Sequence, residues 1–408
     1  MLHNYGTLFN PCLSKDSKMK TLVILLFAIA LSTTGFAPNQ EEVPKLDGHS
    51  TTSSEVLTKK LKAIVEAQKI TGLSVVVMKN QVIIYRNYFG VKNTATGEQF
   101  SDGTISYAAS LTKPLFSYLF LKLVDKGIFE LDKPVYTYLS KPIAAYDKWK
   151  DLDKEPDFKK ITARMLLSHS SGLPVLRYFV GDGNTLTLVN KPGKAMYYSN
   201  EGMNLLGFIV EEHTGKDLQS LCKEYIYDPL GMKNTAMVWQ KEFDADYAVG
   251  HDKDGKVLGA EKRTSARAAG SMVTTPTDYS LFISDVLSKK GLSPKLYKEM
   301  LSPQIKVTSK RGFGPLRDSM TPKGEFSNIQ LSWGLGWGLF KTPYGKAFFH
   351  TGHSDGWQNY CVNYPDKGIS VILLSNSDNF ETATGKILET TIGDTWSPLK
   401  WLGIYDQH

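Results

Sequence analysis

Ser110 and Lys113 are a pair whose types and spacing suit nucleophilic chemistry. A serine hydroxyl attacks a carbonyl only when a neighbouring base takes its proton. At positions i and i+3 at the start of a helix, two side chains share a face with Cβ atoms about 5–6 Å apart. The helix N-terminus adds partial positive charge where an oxyanion forms. Pro114 falls in the first turn, where its missing N–H costs little. The spacing alone discriminates poorly, because Ser17, Ser220 and Ser397 also have Lys three residues on. Those three read as presequence, mid-helix and C-terminal tail.

Two further triplets supply groups such a nucleophile needs. In Tyr198-Ser199-Asn200, a phenol beside the Lys113 ammonium is expected to have its pKa lowered and so to shuttle protons. Tyr85-Arg86-Asn87 repeats the pattern, but mid-strand and upstream of the serine, where an ordinary strand tyrosine is expected. His350-Thr351-Gly352 ends one strand-like run and precedes another. It is read as a cleft-lining strand, with His350 and Thr351 donating to substrate and Gly352 allowing its close approach. The rival His213-Thr214-Gly215 closes an amphipathic helix with glycine at the stop, a helix C-cap.

Stepping outward, the elements that position these groups are legible as changes of period. Leu57, Leu61, Ile64 and Val65 mark a helix, with Thr52 and Glu55 spaced as a capping box. Leu73–Met78 and Val82–Tyr88 form a hairpin across Lys79-Asn80-Gln81. From Ser110 to Gly127 the residues leave almost no polar face, so that helix must be buried. Strand-like runs return at Leu335–Phe340, Lys346–His350, Gln358–Tyr364 and Ile369–Ser375, before a helix over Glu381–Thr391. This predicts an α/β (α+β) fold: an antiparallel sheet built from both chain ends, flanked by helices and holding a mostly helical subdomain at about 110–265.

Of 408 residues, 41% are hydrophobic and 22% charged, enough for a sizeable core in one large domain or two modest ones. The net charge of +7 is spread over short lysine pairs, which argues against nucleic acid. Lys15, Lys18 and Lys20 precede an apolar run from Leu22 to Leu31 and small residues to Ala37. That order reads as a secretory signal within a presequence over 1–37, with Met19 as an alternative start. Export to the periplasm or the extracellular space follows; membrane contact is expected only if the segment stays uncleaved. Residues 38–52 read as a linker. Cys12 leaves with the presequence, and Cys222 and Cys361 read as buried fillers with no metal spacing.

The ordered set Ser110…Lys113, Tyr198…Asn200 and His350…Gly352 resembles the class C β-lactamase-like serine hydrolases of the β-lactamase and penicillin-binding-protein superfamily, a group that also holds DD-peptidases, D-aminopeptidases and esterases. The likeness extends through Ile161–Pro174, Pro229-Leu230-Gly231-Met232, Ala269-Gly270-Ser271 and Gly334-Leu335-Gly336-Trp337, from about Glu55 to Thr391. It implies the β-lactamase/transpeptidase-like fold, with residues 53–408 as a single catalytic domain. It also implies that Ser110 is acylated, that Lys113 and Tyr198 accept its proton, deliver it to the leaving group and later activate the deacylating water, and that Asn200 orients Lys113 and contacts substrate. The N–H groups of Ser110 and His353 would form the oxyanion hole, and no metal or organic cofactor is needed. His169 is expected to be a hydrogen-bonded loop residue, and neither His251 nor His353 carries a metal signal. The chain departs from the β-lactamases at His350, where they carry Lys; a mostly neutral imidazole attracts a β-lactam carboxylate less than an ammonium does. Phe349 and Ser271 also replace common glycines. The expected substrates are therefore esters or D-amino-acid peptides, with β-lactam hydrolysis, or a non-hydrolytic binding role, as alternatives.

Overall fold

A computed structural model describes residues 42–404 apart from 314–316, 322–323 and 325. The expected signal, the Met19 start, Cys12 and the first residues of the linker lie outside the described residues. The first hairpin, Gly72–Lys79 with Val82–Asn93, turns on Asn80 and Gln81, whose φ values are 48° and 71°. Two consecutive residues at positive φ match the twist of the flanking strands. The turn is therefore one residue tighter than the spacing predicts, with Lys79 paired to Val82.

The hairpin belongs to a nine-stranded sheet in which strands from both chain ends meet. Gly72–Lys79 pairs antiparallel with Ile369–Ser375, bringing Val77 opposite Val371 and Val75 opposite Leu373. Trp357–Tyr364, Gly345–Ser354 and Gly338–Thr342 follow outward from Ile369–Ser375. Alternation sorts the side chains into two cores. Val76, Met78, Ile372 and Leu374 pack with Leu115 and Leu119 of the helical body. Val75, Val77, Val371 and Leu373 pack with Leu57, Leu61, Ile387 and Leu388 of the outer helices Ser54–Ala67 and Thr384–Ile392. The fold is thus the expected mixed α/β arrangement, an antiparallel sheet between helical layers.

Helix Thr112–Asp125 is buried at every position from Thr112 to Leu121 and again at Leu123. The expected insertion contains Ala163–Leu167, Asn200–Thr214 and Leu218–Cys222, and helix continues beyond it in Pro276–Ser288 and Pro294–Met300. Gly215 closes Asn200–Thr214 at φ 67°, so the rival His213 triplet is a C-cap. The strand expected from Leu335 begins at Gly338. Leu335 instead lies in a connection that presses on the buried helix, where a Cβ at Gly336 would meet Ser117 Oγ at 2.2 Å. Cys222 and Cys361 are free and buried.

Two local expectations are corrected. The helix that begins at Ser54 is capped by Ser53, whose Oγ accepts from the Val56 N–H at 3.4 Å, so Thr52 and Glu55 form no capping box. The described part of the expected linker is a hairpin, Glu42–Pro44 with Thr51–Ser53. Val43 and Leu46 are fully buried in the outer core, and the Leu46 N–H donates to Ile392 O at 2.9 Å. Two apolar residues among polar neighbours carry too little periodicity to show this in sequence. Leu46→Ala is expected to destabilise the protein by about 2–5 kcal/mol, as for other buried leucines. Denaturant unfolding checks this, since a linker residue would be silent.

Candidate active site

Ser110 lies in a short 3-10 turn, Ala109–Leu111, ahead of the helix rather than within it. Ala109 is held at φ 47°, a left-handed conformation that costs a non-glycine residue about 1–2 kcal/mol. The turn is held from outside: Thr112 Oγ1 donates to Ala109 O at 2.6 Å and accepts from the Ser271 and Met272 N–H groups at 3.2 and 3.0 Å.

Lys113 follows on the same face, with Nζ 2.9 Å from Ser110 Oγ and donating to Ala269 O at 2.6 Å. Its side chain is fully buried. Burial alone pushes its pKa well below the usual lysine value. A neutral amine has a lone pair for the serine proton and N–H groups for the Ala269 carbonyl. Orientation of Lys113 by a carbonyl, rather than by Asn200, is a correction to the expected role of Asn200. Asn200 still lines the cavity, and its buried Oδ1 has no hydrogen-bond partner among the described residues.

Tyr198 packs over this pair, with Lys113 Nζ 4.8 Å from its ring centroid. Burial drives its pKa up, opposed by a hydrogen bond from Ser110. The expected lowering by a lysine ammonium does not occur, because burial disfavours both charged forms. The loop Ile161–Pro174 holds the tyrosine in place. The Tyr197 N–H donates to His169 O at 2.6 Å, the Ser199 N–H to His169 Nδ1 at 3.2 Å, and Ser199 Oγ to Pro174 O at 2.7 Å. The His169 ring lies 4.4 Å from that of Tyr198, and burial holds its pKa well below the usual histidine value. His169 is thus a hydrogen-bonded loop residue. Tyr85, in the rival triplet, instead shares a hydrogen bond with Thr58 at 3.0 Å, in the first hairpin.

Strand Gly345–Ser354 contributes by alternation. Thr351 and His353 line a cavity of about 290 Å³ together with Ser110, Tyr198 and Asn200. His350 points the other way: it is buried, its ring centroid is 5.7 Å from that of Trp333 and 6.1 Å from that of Tyr198, and its pKa is pushed down to about 3, chiefly by burial and then by Lys113. The expected substrate contact from His350 is corrected to a neutral packing residue behind the tyrosine. Period 2 applied to the triplet would have separated the two. Gly352 is also reassigned, since backbone rather than substrate approaches it: a Cβ there would lie 2.3 Å from Ala108 O.

Several cavity residues have no sequence signal. Glu381 enters from the start of the last long helical segment. Val175, Leu176, Phe179, Phe313, Leu402 and Ile404 make the remaining wall apolar. Their contributions come from three distant stretches of chain. His353 Nδ1 lies 2.9 Å from Glu381 Oε1, and this contact raises the histidine pKa. Gly352→Ala is expected to shift the serine turn through Ala108 and lower turnover about 100-fold, the cost of misplacing a reacting group by ~1 Å. Steady-state kinetics on the folded variant checks it, and unchanged turnover would show that this approach does not set Ser110.

The geometry can be set beside known proteins. A family pattern described as Beta-lactamase matches residues 57–390. The chain is 21% identical over 364 residues to a Beta-lactamase of Pseudomonas fluorescens, covering 79% of this chain and 93% of that protein. It is 24% identical over 323 residues to Penicillin-binding protein 4* of Bacillus subtilis, covering 72% of this chain and 66% of the relative. Among solved structures, the D-alanine carboxypeptidase AmpC of Burkholderia cenocepacia superposes with a TM-score of 0.64 at 18% identity, covering 82% of this chain and 97% of that one. The octameric penicillin-binding protein homologue of Pyrococcus abyssi gives a TM-score of 0.64 at 23% identity, covering 79% and 73%. With a buried lysine against a serine in a fold of this kind, and a match over most of its length, the chain belongs to the Beta-lactamase family of serine hydrolases.

Proposed function

We propose that the protein is an exported hydrolase that acylates Ser110 with neutral ester or amide substrates. The observation that carries this reading is the composition of the cavity wall. Among the described residues, no Lys or Arg lines it; its titratable side chains besides Tyr198 are His353 and Glu381, and the rest is largely apolar. A substrate carboxylate, ionised at neutral pH, would meet Glu381 and find no lysine or arginine. The buried, neutral His350 adds no charge. Export rests on the basic, apolar and small-residue order of Lys15 to Ala37.

In this mechanism Ser110 Oγ attacks the substrate carbonyl carbon as Lys113 Nζ accepts its proton. The phenol of Tyr198, protonated at neutral pH, gives its proton to the leaving group and is reprotonated from Lys113. The acyl group then occupies the apolar wall until water releases it. The N–H groups assigned to the oxyanion hole belong to Ser110 and His353, both at the cavity. β-Lactam hydrolysis is a second reading, supported by the similarity to the Pseudomonas fluorescens protein. D-Amino-acid peptides are a third substrate class, in line with the D-alanine carboxypeptidase fold neighbour.

The test compares a short-chain p-nitrophenyl ester, a D-Ala-D-Ala peptide and nitrocefin. The ester is expected to show the highest kcat/KM, with an acyl adduct on Ser110 by mass spectrometry that Ser110→Ala abolishes. Absence of turnover and adduct with all three would sink the enzyme reading, while preferred nitrocefin turnover would reverse the substrate order. Tyr198→Phe, which keeps the packed ring, is expected to lose about 100-fold or more in kcat while thermal unfolding stays close to that of the parent. An unchanged kcat would remove Tyr198 from the proton path.

A further inference from the structure

We propose that His353, oriented by Glu381, is the general base that takes a proton from the water hydrolysing the acyl-Ser110 intermediate. The proposal rests on the acylation reading above and adds a division of labour. Lys113 and Tyr198 serve acylation from the buried side, and His353 serves deacylation from the solvent side.

The geometry points to this division in three ways. The first is direction: Thr351 and His353 are two apart on one strand, so both face the Ser110 cavity while His350 is turned away. The second is orientation. Glu381 Oε1 lies 2.9 Å from His353 Nδ1, and a carboxylate accepting the Nδ1–H leaves Nε2 with the free lone pair. Glu381 is itself held, since its N–H donates to Gln358 Oε1 at 2.7 Å, and Gln358 is the cross-strand partner of His353. Gln358 in turn donates through Nε2 to Asp378 O at 3.2 Å. Histidine, carboxylate and the residue that places the carboxylate thus form one unit. The third is access to water: the His353 side chain is 58% exposed, whereas Lys113 is fully buried behind the serine.

In the step itself, the water oxygen forms a bond to the acyl carbon as one water proton passes to His353 Nε2. The C–Oγ bond then breaks, and the hydroxyl proton left on the tetrahedral intermediate passes through Tyr198 and Lys113 to Ser110 Oγ. The acid product leaves as a carboxylate, and His353 returns its proton to solvent. The charged groups facing the imidazole are Glu381, Asp378 from the segment after strand Ile369–Ser375, and Asp355 from the turn before Trp357. All three favour the imidazolium and so raise the histidine pKa above its ordinary value. Deacylation is therefore expected to rise with pH as the imidazolium loses its proton.

The experiment is a pre-steady-state burst assay with a p-nitrophenyl ester, paired with intact-mass detection of the acyl adduct across pH. In His353→Ala, deacylation is expected to fall about 100-fold and acylation by much less. The adduct should then accumulate, and the pH dependence of deacylation should vanish. Glu381→Gln should keep a pH-dependent step but move its midpoint to lower pH, because a carboxylate that favours the imidazolium is gone. Should His353→Ala unfold, as judged by thermal melting, His353→Gln carries the same expectation. Equal losses in both steps, a change in KM alone, or unchanged deacylation in the folded variants would overturn the assignment. An adduct missing even from the parent would instead overturn the acylation reading, and this proposal with it.

Discussion

The site depends on one interaction, the burial of the Lys113 amine against Ser110 with no countercharge among the described residues. A lysine head group taken out of water favours its neutral form, and among the described residues its polar partners are a hydroxyl and a carbonyl. Supplying a carboxylate would restore the ammonium and remove the base. The apolar helix Thr112–Asp125, the sheet beneath it and the aromatic cluster around Tyr198 are what keep water from that nitrogen. The same exclusion raises the phenol and lowers His169 and His350, so burial disfavours the charged form of all four adjacent groups.

The rest of the architecture brings the sheet and the helical body close enough to define the cavity. The serine turn rests on strand Gly345–Ser354 at Gly352 and is tied to Ser271 and Met272 through Thr112. Tyr198 is fixed by its own loop through His169, which sets the ring without touching the cavity. Residues far apart in sequence therefore converge through backbone contacts more than through side-chain pairs. Backbone placement survives sequence change better than packing does, in keeping with a fold shared at 18% identity.

How much of this was legible in the sequence followed the range of each interaction. Ser110, Lys113 and Tyr198 were readable because their chemistry constrains residue type and because the buried helix announces itself by its lack of a polar face. His350 was misread for a local reason: its triplet was taken as one functional unit, although a strand sends adjacent side chains to opposite faces. The hairpin at Glu42–Ser53 was hidden because only Val43 and Leu46 reach the core. Glu381, Phe313 and Ile404 could not be found at all, since their relation to Ser110 exists only after the chain ends have met. Ala269 was noticed as part of a motif, but a carbonyl acceptor leaves no mark in residue type.

The seam between Gly72–Lys79 and Ile369–Ser375 has a consequence for how the molecule is made. Residues almost 300 positions apart must pair before the central sheet is continuous. During synthesis the first hairpin emerges with one long apolar edge open, and every element of the helical body appears before the strand that covers that edge. Such late, distant closure slows folding and leaves a template for wrong pairing. Under the proposed export this order is useful, because a polypeptide unable to complete its core until its last strand arrives stays threadable until then.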